Sequence, residues 1–118
     1  MKNQEHLLQV DCCKYLEVLK NMNKIVEYFA VPNGVLYGAK NNLTYGSKMK
    51  REGVKSGVSD LIIVFKNKIL FVELKHGKNK QTDSQKKFEN NIKKANPLIM
   101  QYHLIYDFNS FANLIDKQ

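Results

Sequence analysis

The feature that most constrains the fold is a pair of short apolar runs, residues 61–65 and 69–74, separated by only three polar residues. Both runs are rich in isoleucine, valine and phenylalanine, which favour strands, and the break between them suits a tight turn. We therefore predict a β-hairpin. Its open end carries two carboxylates and a lysine, namely Asp60, Glu73 and Lys75.

The alternation of side chains along a strand predicts how these three groups face one another. Glu73 and Lys75 are two residues apart and so share one face of their strand. With residues 67–68 as the turn, Asp60 lies opposite Lys75 and one diagonal step from Glu73, roughly 5–8 Å away. A loop with an odd number of residues and no bulge would send Asp60 to the other face. The predicted cluster therefore depends on the turn.

Two carboxylates held on adjacent strands suit a hard cation such as Mg²⁺ or Mn²⁺. Such an ion lowers the pKa of a bound water and offsets the charge of a phosphodiester, and Lys75 would orient that water or stabilise developing charge. The alternative is structural, with Asp60 as a turn residue and Glu73 and Lys75 as a solvated pair. A Glu-x-Lys arises readily by chance in a chain this rich in lysine, so the pattern alone leaves both interpretations open.

The same stretch resembles the VRR-NUC family of PD-(D/E)XK nucleases. The matching segments are GVKSGVSD at 53–60, FVELK at 71–75 and TDSQ at 82–85, with VPNG upstream at 31–34. The similarity runs from Glu5 to the C-terminus. One position departs from the family pattern, because Ser59 stands where a proline usually precedes the motif aspartate. That proline shapes the backbone and is not a ligand, so we still expect activity.

The resemblance implies an α/β fold with a restriction-endonuclease-like core, in which a mixed β-sheet is flanked by α-helices. It implies Mg²⁺- or Mn²⁺-dependent hydrolysis of DNA, specific for branched or Holliday-junction-like structures, by a homodimer. Small stand-alone members are commonly phage-encoded, which would place the protein in the host cytoplasm. No membrane and no organic cofactor are implied. The implied site residues are the metal ligands Asp60, Glu73 and the Leu74 carbonyl, the catalytic Lys75, Gln85 beside it, and Glu5 as a further ligand.

Composition agrees with a basic intracellular domain. At 118 residues the chain is long enough for one domain, 1–118, with a single core. A net charge of +8 favours a polyanionic partner such as nucleic acid, although a Lys- and Asn-rich coding bias would give the same charge. Cys12 and Cys13 are adjacent and form neither a disulfide framework nor a zinc pattern. No apolar run reaches the length of a membrane span.

Basic residues cluster around the predicted hairpin. Residues 38–51 show no periodicity and are predicted to form a long loop, in which Tyr45 would stack on an exposed base. Lysines in this loop and after the hairpin would grip phosphates. A solvated, Lys-rich loop is the alternative. The candidate nucleic-acid contacts are Lys40, Lys48, Lys50, Arg51, Lys55, Lys78 and Lys80.

The remaining elements bracket the hairpin. Apolar periodicity predicts helices at 3–20, 82–95 and 110–115 and strands at 25–31 and 98–106, with a brief extra strand at 35–37. Glu5 would lie at the core-facing edge of the first helix, where it either joins the site or complements the positive helix terminus. Thr82 and Gln85 form a capping-box pattern, which is compatible with a role for Gln85 in the site.

Two other classes of function fit the charge. One is a non-catalytic nucleic-acid-binding module, and the other is a regulatory protein whose basic face meets an acidic protein. Neither requires the acids, the lysine and the glutamine together, so the set Asp60, Glu73, Lys75 and Gln85 favours an enzyme.

Overall fold

The computed structural model describes residues 4–32 and 43–118. The described residues contain helices α1 (Gln4–Asn21), α2 (Leu43–Arg51), α3 (Asp83–Ile92) and α4 (Phe108–Asp116) and strands β1 (Glu27–Ala30), β2 (Leu61–Val64), β3 (Ile69–Leu74) and β4 (Met100–Ile105). None of these helices has both the length and the apolarity needed to cross a membrane.

The four strands form one mixed sheet in the order β1-β2-β3-β4. Strands β1, β2 and β3 pair antiparallel, whereas β4 runs parallel to β3. A parallel pair needs a crossover, and α3 supplies it between β3 and β4. The predicted α/β architecture, a mixed sheet flanked by helices, is therefore confirmed.

The two faces of the sheet are covered differently. Leu70 and Val72 of β3 point into a core formed with α1 and α4, which includes Leu16 and Phe111. The alternate side chains of β3 face α3, where Phe71 meets Phe88 with ring centroids 5.7 Å apart. Glu73 and Lys75 follow Phe71 in this alternation, so they lie on the face that α3 covers.

The hairpin is present, but its predicted register was wrong by two residues. The Phe65 amide donates to the Lys68 carbonyl at 2.8 Å, so the turn is 66–67 rather than 67–68. Leu61 lies opposite Val72, and continuing this register brings Asp60 level with Glu73 rather than with Lys75. The face was nevertheless predicted correctly, because a shift of two residues preserves the side-chain alternation.

The prediction of a loop over 38–51 was wrong for residues 43–51, which form α2. Three basic residues in the last turn of α2 complement the negative end of the helix. Gly53 then ends the helix with φ +92°, and Val54 N–H bonds to Met49 O at 2.9 Å in a Schellman closure. A glycine just after a basic turn was thus the overlooked signal. Asn33 and Gly34 of the VPNG segment, the predicted strand at 35–37 and Lys40 lie outside the described residues.

The other elements lie within three residues of their predicted bounds. The largest difference is at α3, which ends at Ile92. At the C-terminus, α4 begins at Phe108 because Asp107 caps it, its carboxylate accepting the Ser110 amide proton at 2.7 Å.

Candidate active site

Asp60 is held at the open end of the hairpin by the neighbouring strand. It ends the loop that leads into β2, and its Oδ2 accepts the Leu74 amide proton at 2.7 Å. The preceding Ser59 is fully buried, and its hydroxyl donates to the Leu61 carbonyl at 3.4 Å. The buried hydroxyl of Ser59 is therefore satisfied by a local hydrogen bond, and Asp60, the next residue, lies beside Glu73.

Glu73 is a buried acid, only 2% exposed. One carboxylate oxygen, Oε2, accepts a hydrogen bond from Gln85 Nε2 at 2.8 Å. The other, Oε1, is buried and accepts no hydrogen bond from a donor among the described residues, while a carboxyl–carboxyl hydrogen bond with Asp60 contributes to the raised pKa of Glu73. A buried carboxylate oxygen without a donor is costly, so this position favours either a proton or a cation.

The two carboxyl groups act on each other unequally, because Asp60 raises the pKa of Glu73 whereas the hydrogen bond with Glu73 lowers that of Asp60. Burial, and then the negative charge of Asp60, raises the pKa of Glu73 to about 8. Burial likewise raises the pKa of Asp60, and the hydrogen bond from the Leu74 amide partly offsets this rise. Two acids forced together out of water favour sharing a proton or binding a cation. Such a perturbed pair is typical of functional sites, although structural networks also produce it.

Lys75 supplies positive charge beside this pair. Its side chain is largely buried, at 8% exposed, and its charge lowers the pKa of both Asp60 and Glu73. Its amide donates to the Ile105 carbonyl at 2.9 Å, which continues the β3–β4 pairing past the end of β3. The sheet itself therefore fixes the backbone that carries this ammonium group.

Gln85 combines the two roles that its sequence position suggested. Its Oε1 accepts the Thr82 amide proton at 2.9 Å, and its own amide donates to Thr82 Oγ1 at 3.2 Å, which is a complete capping box. Because the side-chain oxygen of Gln85 is used in the capping box, its Nε2 group is directed to Glu73. The helix cap therefore orients the amide that holds the buried acid.

Glu5 lies at the edge of the site. Its Oε2 accepts a hydrogen bond from Asn79 at 3.0 Å, and its charge contributes to the raised pKa of both Asp60 and Glu73. Among residues 4–32 and 43–118, no group of three or more His, Cys, Asp or Glu side chains is placed to hold a metal ion. The candidate donors are the two carboxylates of Asp60 and Glu73 and the Leu74 carbonyl, and a ligand role for Glu5 stays a prediction.

The predicted nucleic-acid contacts that the structure describes all lie at the surface. Lys48, Lys50 and Arg51 project from α2, and Lys55 lies in the loop before β2. Lys78 and Lys80 are exposed in the connection from β3 to α3.

Gly57 is a site-shaping residue that the sequence prediction did not assign. Its φ is +83°, and a Cβ built there would lie 2.4 Å from both the carbonyl carbon and the oxygen of Ser84. The loop before Asp60 therefore packs backbone to backbone against the first turn of α3. This close approach places Gln85 over the hairpin end, and the glycine inside the 53–60 segment was its only sequence signal.

We expect Gly57→Ala to lower the free energy of unfolding by about 2–5 kcal/mol, because it combines left-handed strain with overpacking against Ser84. The matched control is Gly53→Ala, since Gly53 also has a positive φ, +92°, but a Cβ added there would meet no described atom within 4 Å. That variant should lose only about 1–2 kcal/mol. Urea denaturation measures both, and equal losses would contradict a packing role for Gly57.

Comparison of the chain with protein-family models, with curated proteins and with solved structures gave no match. Function is therefore inferred from the chemistry of the site.

Proposed function

We propose that this protein is a metal-dependent nuclease that hydrolyses DNA phosphodiester bonds, with a PD-(D/E)XK core of the VRR-NUC type. The observation that carries the proposal is the buried Oε1 of Glu73, which accepts no hydrogen bond from a donor among the described residues and lies beside a second, half-buried acid, Asp60. A structural ion pair would be expected to satisfy that oxygen.

A divalent cation fits this arrangement. Asp60, Glu73 and the Leu74 carbonyl are hard oxygen donors, which Mg²⁺ and Mn²⁺ prefer, and Mg²⁺ commonly uses only one or two protein carboxylates. When bound there, the ion would lower the pKa of a water and neutralise charge on the phosphate. The Gln85 amide holds Glu73 through Oε2, so Oε1 is left for the ion.

Lys75 is the group assigned to the reacting phosphate. The Lys75 residue is largely buried and its charge lowers the pKa of both Asp60 and Glu73, so the ammonium lies close enough to this pair to stabilise negative charge as it develops, or to orient the attacking water. Glu5, held by Asn79, would support the site from its edge.

The surface charge supports a nucleic-acid substrate. The net charge is +8, and contacts between basic side chains and phosphates supply much of the affinity of DNA-binding proteins. We extend the proposal to branched or junction-like DNA and to a homodimer, because two copies of a small domain would engage both strands of a branch. A non-catalytic binding module would explain the charge but gives no reason to bury Glu73 beside Asp60.

Cleavage of a panel of labelled DNAs tests the proposal. Single-stranded, duplex, flap and four-way-junction substrates are incubated with the protein in Mg²⁺, Mn²⁺ or EDTA. We expect cleavage with a divalent metal and none in EDTA, with the branched DNAs cut fastest. DNA that is bound but cut with neither metal would overturn the nuclease proposal in favour of the binding module.

A further inference from the structure

A cleft lies on the surface beside the carboxylates of Asp60 and Glu73. This cleft, of about 730 Å³, lies between α2, the loop at 54–56 and α3. Its volume falls within the roughly 300–1,000 Å³ typical of ligand sites. Three lysines from these three segments, Lys50, Lys55 and Lys87, line it.

The lining of the cleft combines charge with an apolar aromatic surface. Val54 and Phe88 contribute apolar atoms between the lysines. Phe88 is held in place because its ring packs edge-on against both Phe71 and Tyr102, with centroids 5.7 and 6.2 Å away. Aromatic side chains bordered by basic groups are the combination that binds single-stranded nucleic acid, since bases stack on the rings while the cations contact phosphates.

The first turn of α3 connects the cleft with the carboxylates. Ser84 lines the cleft, whereas the next residue, Gln85, donates to Glu73. A strand that lies in the cleft is therefore directed past the start of α3 towards Asp60 and Glu73. A base-paired strand has its bases stacked within the duplex, so only an unpaired strand can present a base to Phe88 and Val54.

We propose that this cleft binds an unpaired DNA segment next to the scissile phosphodiester, with phosphates on Lys50, Lys55 and Lys87 and a base against Phe88. The proposal rests on the proposed nuclease function and specifies its substrate as DNA with a single-stranded segment at the cleavage site.

Binding without cleavage tests the cleft. Fluorescence anisotropy in EDTA measures the affinity of the protein for a labelled 15-mer of oligothymidylate, for an abasic 15-mer and for a 15-base-pair duplex across a salt series. The test variant is Lys50→Gln/Lys55→Gln/Lys87→Gln. The matched control, Lys14→Gln/Lys24→Gln/Lys117→Gln, removes three exposed lysines from α1, the α1–β1 connection and the end of α4.

We expect the cleft variant to bind oligothymidylate roughly tenfold or more weakly, with its salt slope reduced by about 2, whereas the control stays within about threefold of wild type. Wild type should prefer oligothymidylate to the abasic oligomer by roughly fivefold or more, because a stacked base contributes to affinity. Equal losses in the two triple variants, equal affinity for the two oligomers or tighter binding of duplex would each overturn the proposal.

The two proposals fail separately in this design. If wild type cuts DNA with Mg²⁺ or Mn²⁺ but the two triple variants bind alike, the cleft proposal is overturned and the nuclease proposal stands. If binding requires the cleft lysines and the base, but no DNA is cut with either metal, the cleft stands as a single-strand-binding site and the nuclease proposal falls.

Discussion

Lys75→Met is expected to abolish most metal-dependent DNA cleavage, with a fall in rate of roughly 10²–10³-fold. The Lys75 residue is 8% exposed and its charge acts on both carboxylates, so we do not expect a solvated lysine elsewhere to replace it. Asp60→Asn and Glu73→Gln should cause losses of at least about this size, because a carboxamide lacks the charge that a divalent ion requires. Initial rates on the best substrate of the panel measure each loss.

Matched variants separate chemistry from folding and general charge. Lys66→Met removes a lysine from the exposed hairpin turn, and Asp11→Asn removes an exposed acid from α1. Both should cut DNA within about threefold of wild type, and thermal unfolding should show that all variants are folded. Cleavage that persists in Lys75→Met and Asp60→Asn would mean that the activity belongs to another site or to a contaminant.

The metal-free protein is expected to lose stability as the pH rises from 5 to 8.5. The folded-state pKa of Glu73 is about 8, above its ordinary value of 4.5, mainly because the carboxyl is buried. Between these values the folded protein keeps a proton that the unfolded chain releases, so stability falls with rising pH. The expected loss is roughly 2–4 kcal/mol, and the raised pKa of Asp60 adds to it at the lower end of the range.

Urea denaturation in EDTA at the two pH values measures this loss. Glu73→Gln should remove most of it, because a carboxamide stays neutral across the range. Glu52→Gln, at an exposed position, is the control and should leave the loss unchanged. A wild-type stability that does not fall, or that falls equally in Glu73→Gln, would contradict the assignment of the shift to Glu73.

Divalent metal should reverse the loss at pH 8.5. Binding to the folded state alone stabilises it by about 2.7 kcal/mol at a metal concentration one hundred times the dissociation constant. Mn²⁺ should therefore raise the melting temperature of wild type and leave that of Glu73→Gln nearly unchanged. This readout does not depend on cleavage, so it tests the metal site even when the correct DNA is missing from the panel.

Local pattern was enough to predict most of the secondary structure and the composition of the site. Period-two alternation placed Glu73 and Lys75 on one face, and the two apolar runs with a short break predicted the hairpin. Thr82 and Gln85 matched a capping box, which the structure contains. These features depend on neighbours a few residues apart, and such local geometry is encoded directly in the order of residues.

The register and α2 show where local pattern was insufficient. The turn at 66–67 and the turn at 67–68 differ by little in local preference, and the pairing of the whole sheet selected the first. Helix α2 is only nine residues long, and its end is marked by the basic last turn and by the Schellman closure at Gly53. The prediction that Asp60 shares a face with Glu73 nevertheless held, because either turn preserves the alternation of side chains.

Strand alternation in the sequence placed Glu73 and Lys75 on one face and, given an even-numbered turn, Asp60 with them at the open end of the hairpin. Their electrostatic state depends on how the rest of the fold covers them. Helix α3 is held across that face by the close contact between Gly57 and Ser84. The helix covers Glu73, and the side-chain amide of Gln85 bonds one oxygen of the Glu73 carboxylate. The pKa of a carboxyl group depends on what covers it, and here the cover of Glu73 comes from α3, the helix that follows β3 in the chain.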